Sequence, residues 1–353
     1  MSESNPATPY AHLHATPSGP DDARPTALQI IADENLTNAL PGTTIVLTGA
    51  TSGIGLETAR GLATTGATLI LPVRDIDAAR QSVLGSLVRE HGGESGRICL
   101  VQMDIASLSS IKCAASEVLS ASGGKVDVLI ANAGVMGLPE KTLSEDGYEM
   151  HFAVNYLGHF YLFLLLKDAL LSAAAASPGG KKKSSRVVVV SSSAQRAGIL
   201  HLPDGYDYNF TRSEYRYDAA YANSKLAAVY LANGIERVYG ARGLHATSLH
   251  PGAIDTGISR HVGRDFVKAI MSNEAVARVV KSPAQGAATT VWAAVGREWA
   301  DRGGKYLENC GEAKEGVDDG GVFATGWVPR TYDRVAEERL WREMCALLGV
   351  EEE

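Results

Sequence analysis

The chain has 353 residues, 45% apolar and 21% charged, the composition of a soluble globular protein rather than of a disordered chain, which lacks the apolar residues for a core. Lys and Arg number 33 against 40 Asp and Glu, a net charge of −7, so nothing draws it to nucleic-acid phosphates and no such partner is expected. Cys99, Cys113, Cys310 and Cys345 form no C-x-x-C pair, which argues against a disulfide framework and a zinc site; the expectation is reduced thiols in the cytoplasm and no metal.

Residues 1–25 hold five of the 13 prolines and no continuous apolar run, so they read as a flexible tail and not a signal peptide. Leu28, Ile31, Leu36 and Leu40 predict a short amphipathic helix within 26–40, closed by Pro41 and Gly42. An alternation then begins. Thr44–Leu47, Thr68–Val73, Ile98–Met103 and Val126–Ala131 are β-rich runs; Ile54–Thr65, Ile76–Glu90 and Leu108–Ser120 between them are helical. Tyr148–Leu171 is a long helix, 177–185 a Gly- and Lys-containing loop, and Val187–Val190 the most apolar strand. A helix over Ala219–Tyr239, a strand over Leu244–Leu249, a helix over Ala284–Trp299, a short strand over Lys305–Leu307 and a final helix over Val335–Leu348 complete the pattern. Near-continuous apolar strands separated by helices mean a parallel sheet covered on both faces. Phe160–Leu166, the best apolar stretch, is stopped by Lys167 and Asp168, far short of the ~20 residues of a membrane span. The Lys181–Lys183 run reads as a solvated loop.

Four loops at strand ends carry candidate chemistry. The first strand runs into Gly49-Ala50-Thr51-Ser52-Gly53-Ile54-Gly55 and then a helix. Glycines there let the backbone turn and approach a pyrophosphate facing the helix N-terminus. The G-x-x-x-G-x-G spacing differs from G-x-G-x-x-G and from a P-loop. The second strand ends in Arg74 rather than an acid; its fork suits a 2′-phosphate, although Asp75 and Asp77 offer it an ordinary ion pair. Asp104 and Ile105 follow the third strand, where Asp104 can accept from an adenine amino group, and Asn132-Ala133-Gly134 follow the fourth. Tyr221 and Lys225, four apart on a helix, share one face, and a nearby ammonium is expected to lower the tyrosine pKa. Ser191 and Ser192 end the preceding strand and offer hydroxyls to a substrate oxygen.

Taken in order, TGATSGIG at 48–55, NAG at 132–134, Asn155 in FAVNYLGHF, SS at 191–192, YANSK at 221–225 and HPG at 250–252 resemble the classical short-chain dehydrogenases/reductases over about residues 40–310. VNYLGHF, the long segment between Ser192 and Tyr221, KYLENC and the late Leu340-Trp341 resemble its retinol-dehydrogenase-like and WW-domain-oxidoreductase-like branch, which includes fungal secondary-metabolite reductases. The resemblance implies a three-layer α/β/α Rossmann fold with a mostly seven-stranded parallel sheet. The expected organisation is a tail (1–25), a helical extension (26–42), the α/β domain (43–310) with loops 193–217 and 253–281, and a C-terminal extension (311–353).

The resemblance also implies roles. Tyr221 would be the general acid/base, Ser192 would polarise the carbonyl, Lys225 would bind the nicotinamide ribose, and Asn155 would hold a water in a proton relay. Pro251, Gly252, Ile254 and Thr256 would close over the nicotinamide and diphosphate. Arg74 at the end of the second strand makes NADP(H) the expected cofactor in preference to NAD(H); the partner would be a small-molecule substrate, and a homodimer is allowed. Tyr206, Tyr208, Phe210, Tyr215 and Tyr217 either wall a bulky lipophilic or polyketide-like substrate or pack on the body as a flap. The alternatives to redox chemistry are an epimerase, dehydratase or cyclase in biosynthesis, or a cofactor-bound regulator.

Overall fold

The computed structural model describes residues 8–84, 87, 97–175, 184–200, 205–261, 272–321 and 324–351. The Lys181–Lys183 run, most of the later half of the helix expected over Ile76–Glu90, and parts of both substrate loops (201–204 and 262–271) lie outside the described residues.

The β-rich runs become β1 (Thr44–Leu47), β2 (Thr68–Val73), β3 (Ile98–Gln102), β4 (Val128–Ala131), β5 (Ser185–Val190), β6 (Leu244–His250), β7 (Lys305–Glu308) and β8 (Gly311–Glu312). They form one sheet in the order β3-β2-β1-β4-β5-β6-β7-β8. The seven parallel strands expected are present, and an eighth, antiparallel to β7, extends them. Two residues carry no periodicity, so β8 was invisible in the sequence. Asn309 and Cys310, at φ +53° and +52°, reverse the chain before it.

The principal helices are α1 (Ala27–Asp33), α2 (Gly53–Ala63), α3 (Leu108–Ala121), α4 (Met150–Ala174, with a wider π turn over Ala153–Leu157), α5 (Tyr217–Tyr239), α6 (Ala288–Val295) and α7 (Arg334–Leu348). Strand residues alternate between two cores because successive side chains point to opposite faces. Ile45, Leu47, Leu69, Leu71, Val128, Ile130, Val188 and Val190 pack under α1, α2 and α6. Val46, Ile70, Val101, Leu129, Val187 and Val189 pack under α3, α4, α5 and α7. Helix α4 is long and apolar enough to cross a membrane by length and composition. Here it is a core helix, with Phe152, Phe160, Phe163, Leu166 and Leu170 buried.

Two expectations near the N-terminus are corrected. The helix expected through Leu40 ends at Asp33; Ala27, Ile30 and Ile31 are its buried residues, and Leu28 is exposed. Asn35 and Asn38 then take left-handed φ values of +57° and +54°, which end helical pairing. The segment expected as a flexible tail is, from Thr8 on, packed against the body. Tyr10 is buried and its hydroxyl donates to Asp33 at 3.0 Å. The buried Arg24 guanidinium donates to the carbonyls of Gly19, Val279 and Val280 at 2.6–2.9 Å. Gln285 Nε2 donates to the carbonyls of Asp22 and Arg24, both at 3.1 Å.

Helix α7 closes one core by setting Trp341 edge-on against Phe160 at 5.0 Å and against Gly234 of α5. A Cβ on Gly234 would lie 2.5 Å from Trp341 Cε3. Gly234→Ala should therefore destabilise the fold by about 1–3 kcal/mol, the usual cost of overpacking, despite alanine's better helix propensity. Chemical denaturation would contradict this with a midpoint at or above that of the native chain.

Candidate active site

The strand order reverses between β1 and β4, since β2 and β3 lie to one side and β5 to β8 to the other. A parallel sheet opens a crevice at the carboxyl ends of such strands, and each loop singled out above follows one of those ends.

The turn from Gly49 to Gly55 needs glycine at its tightest points. Gly49 sits at φ +70°, and a Cβ there would come 2.8 Å from Ala133 Cα; a Cβ on Gly55 would come 2.0 Å from the Gly49 carbonyl oxygen. At the N-cap of α2, Ser52 makes no side-chain bond to the first N–H groups of the helix. A turn with glycine at its closest approaches, leading to N–H groups that Ser52 does not cap, suits a pyrophosphate. Gly53 approaches Thr256, and Gly286 approaches both Ile54 and Ile254, so the segment after β6 reaches across to the start of α2.

Asn132 and Ala133 hold the floor. Their N–H groups donate to Thr48 Oγ1 at 2.9 and 3.0 Å, and Asn132 Nδ2 donates to the Thr48 carbonyl at 2.9 Å. Thr48 Oγ1 also lies 2.9 Å from His159 Nε2. Having accepted twice, the hydroxyl has its own proton to give, and a neutral imidazole can take it. His159 went unnoticed in the sequence; the only signal was its place in FAVNYLGHF.

Arg74 and Asp104 are exposed at the ends of β2 and β3. The two competitors for Arg74 are engaged elsewhere: Asp75 caps the next turn by accepting from Ala78 N at 2.9 Å, and Asp77 pairs with Arg80. Asp104 accepts from Ala106 N, and Ile105 is buried beneath it.

The four residues expected to act together are brought together. Tyr221 and Lys225 lie one turn apart on α5, with Lys225 Nζ 5.8 Å from the Tyr221 ring centroid. Lys225 is buried and donates to the Val190 carbonyl at 3.0 Å. Asn155 Oδ1 accepts from Val135 N at 2.8 Å, while its Nδ2 donates to the Val135 carbonyl and to Ser224 Oγ. Gly134 lies between Asn155 and Lys225: a Cβ there would be 3.2 Å from Asn155 Oδ1 and 3.5 Å from Lys225 Nζ. The neighbouring serines separate by partner. Ser191 Oγ donates to the Lys225 carbonyl at 2.7 Å, whereas Ser192 Oγ accepts from Ala194 N at 3.2 Å and stands close enough to Tyr221 to oppose the rise in its pKa. A buried pair missed in the sequence, His151 Nδ1 with Glu149 Oε1 at 2.7 Å, packs edge-on to the Tyr221 ring.

The electrostatics differ from expectation in one respect. Burial lowers Lys225 to about 8. Tyr221 is raised, chiefly by burial, and the Ser192 hydroxyl opposes the rise; the lysine does not appear as the group that lowers it. The ammonium stands over the ring at 5.8 Å from its centroid and donates to the Val190 carbonyl.

The aromatic segment after Ser192 packs as a flap. Tyr208 stacks on Phe152 at 4.9 Å, Tyr206 tilts against the same ring, and the Tyr215 hydroxyl donates to the Leu138 carbonyl at 3.0 Å.

His159 is 2% exposed, and burial, with Lys225 adding to it, lowers its pKa to about 3. Below an ordinary histidine pKa of about 6.5 the unfolded chain binds a proton that the folded chain refuses. The contribution is therefore complete above that pH and is lost as pH falls toward the folded value, at up to about 1.4 kcal/mol per pH unit. Denaturation between neutral pH and about pH 5 should give a stability slope that is shallower in His159→Gln than in the native chain; equal slopes would refute the assignment.

The model for short chain dehydrogenases matches residues 43–204. The short-chain dehydrogenase/reductase prx1 of Penicillium roqueforti is 40% identical over 344 residues, covering 97% of this chain and 96% of the relative. Oxidoreductase calI of Penicillium decumbens is 39% identical over 98% of both chains. Human retinol dehydrogenase 13 is 35% identical over 88% of this chain and 86% of its own. Among solved structures, an uncharacterised protein from Mycobacterium paratuberculosis superposes with a TM-score of 0.61 at 29% identity, over 88% of this chain and 95% of that one. The chain belongs to the short-chain dehydrogenase/reductase family of oxidoreductases, in its retinol-dehydrogenase-like branch.

Proposed function

We propose that this enzyme transfers hydride reversibly between NADP(H) and a carbonyl or alcohol of a small molecule, with Tyr221 as the general acid/base. The observation that carries the reading is the meeting of Ser192, Tyr221, Lys225 and Asn155 at the carboxyl ends of β4 and β5, beside the glycine turn. Bound NADP(H) would supply or accept the hydride. The residues present fit it: the Gly49–Gly55 turn leaves room for its diphosphate, Lys225 has an ammonium for its ribose, and Arg74 has a guanidinium for its 2′-phosphate.

The remaining work belongs to the chain. Burial keeps the Tyr221 hydroxyl protonated, which suits donation to a carbonyl oxygen as it gains charge. Ser192, beside that hydroxyl, would donate to the same oxygen and polarise it. Lys225, fixed by the Val190 carbonyl, keeps a cation beside the phenol. Asn155 orders Val135 and Ser224, and through them the floor under the reacting groups.

Two measurements test the reading. Tyr221→Phe removes only the hydroxyl. Turnover should fall by about two to four decades, the usual worth of a positioned acid/base, with NADPH affinity nearly unchanged. Near-native hydride transfer in single turnovers would eliminate the mechanism. For the cofactor, the native protein should bind NADPH more tightly than NADH, and Arg74→Ala should shrink that ratio by about one to two decades, as loss of a charge-assisted contact does. A native preference for NADH, or a ratio indifferent to the substitution, would overturn the NADP(H) assignment.

A further inference from the structure

A second buried lysine, Lys281, plays no part in the mechanism above. It is 4% exposed and stands where the segment after β6 returns to the body. Its main-chain N–H donates to the Ala253 carbonyl at 2.8 Å. Its Nζ donates to the Pro251 carbonyl at 3.2 Å and to Asn309 Oδ1, just beyond β7, at 2.9 Å. Gly252 holds φ +116°, and a Cβ there would strike Lys281 Cδ at 2.8 Å. The stem of the lysine thus fills the space a side chain at 252 would need, and its head ties the Pro251–Gly252 turn to the end of the neighbouring strand.

The backbone just before Lys281 is clamped from outside. Gly19 N–H donates to the Arg278 carbonyl at 2.9 Å, and Arg24 donates to those of Val279 and Val280 at 2.7 and 2.6 Å. On the other side, Gln285 Oε1 accepts from Asp21 N and Ser282 N, both at 3.0 Å. The N-terminal arm therefore fixes residues 278–285 through polar bonds on both flanks of Lys281. Burying an ammonium against two neutral oxygens costs more than packing a methionine of like length, so stability alone does not account for a lysine here. What the ammonium adds is the fixed position of the Pro251 carbonyl.

We propose that Lys281 is a positioning residue for cofactor binding: backed by the Arg24 clamp of the N-terminal arm, it holds the Pro251–Gly252 turn in the shape that receives the nicotinamide half. The proposal rests on the cofactor reading above.

The test is binding of NADPH and of 2′,5′-ADP, which lacks the nicotinamide half, to the full chain, together with thermal melts without ligand. Lys281→Met should raise the Kd for NADPH about tenfold, as loss of one charge-assisted hydrogen bond does, and leave the Kd for 2′,5′-ADP and the melt near native. Asn309→Ala should shift NADPH affinity the same way by less. Arg24→Met should do so while also lowering the melt, because it unties the N-terminal arm from residues 279 and 280. A Lys281→Met protein with native NADPH affinity overturns the proposal, as does one that weakens both ligands equally. If that variant does not fold, Asn309→Ala decides, and native affinity there overturns it. A native chain that binds 2′,5′-ADP and NADPH, with only the Lys281 variants unchanged, would reject this proposal alone; a native chain that binds neither would reject the cofactor reading with it.

Discussion

Past the end of β4, the N–H groups of Asn132 and Ala133 have run out of strand to pair with, and Thr48 Oγ1 accepts from both. Buried N–H groups need an acceptor, and a parallel sheet that opens a crevice must find acceptors at the crevice edge. One hydroxyl supplies them here, and through His159 it reaches the long helix α4 as well. The end of β1, the end of β4 and the helix carrying Asn155 thereby share one anchor. The glycine turn begins at the next residue, so its shape inherits that anchor.

The same economy of side chain to carbonyl recurs around the site. Lys225 is seated on the Val190 carbonyl, Ser191 on the Lys225 carbonyl, Asn155 on both polar groups of Val135. None of these groups is held by apolar packing alone. Fixed hydrogen bonds leave little reorganisation for the moment charge develops. Arg196 extends the pattern outward. Fully buried, it donates to the carbonyls of Val317, Gly321 and Thr325, so a single guanidinium attaches the stretch after β8 to the short helix following Ser192.

The strands and motifs were legible because their causes are local. A β-branched run such as Val187–Val190 carries its own preference for the sheet, and the spacing of Tyr221 and Lys225 fixes a shared helix face wherever the helix lies. The N-terminal arm was illegible because its causes are not local: Arg24 meets Val280 and Asp22 meets Gln285, each across more than 250 residues. Proline and small polar residues then looked like a tail. The direction of the Tyr221 shift was missed for a related reason. Spacing placed the ammonium near the ring, but not the Val190 carbonyl that claims it, nor the burial of the phenol. Nothing local to Tyr206 and Tyr208 distinguishes a wall from a flap, because only the fold brings Phe152 beneath them.

The two-residue strand β8 bears on what the molecule shows to its own copies. An exposed edge strand offers a row of unpaired N–H and C=O groups on which another chain can grow. Beside β7, β8 covers only Leu307 and Glu308. The rim is charged: Glu312 of β8 receives both Arg302 and Lys305, and Arg302 also reaches Glu298. A strand arriving along this rim would have to desolvate that cluster before making its first backbone bond. Aggregation by strand addition is thus discouraged at this end of the sheet, at a cost to the fold of two residues and one tight turn.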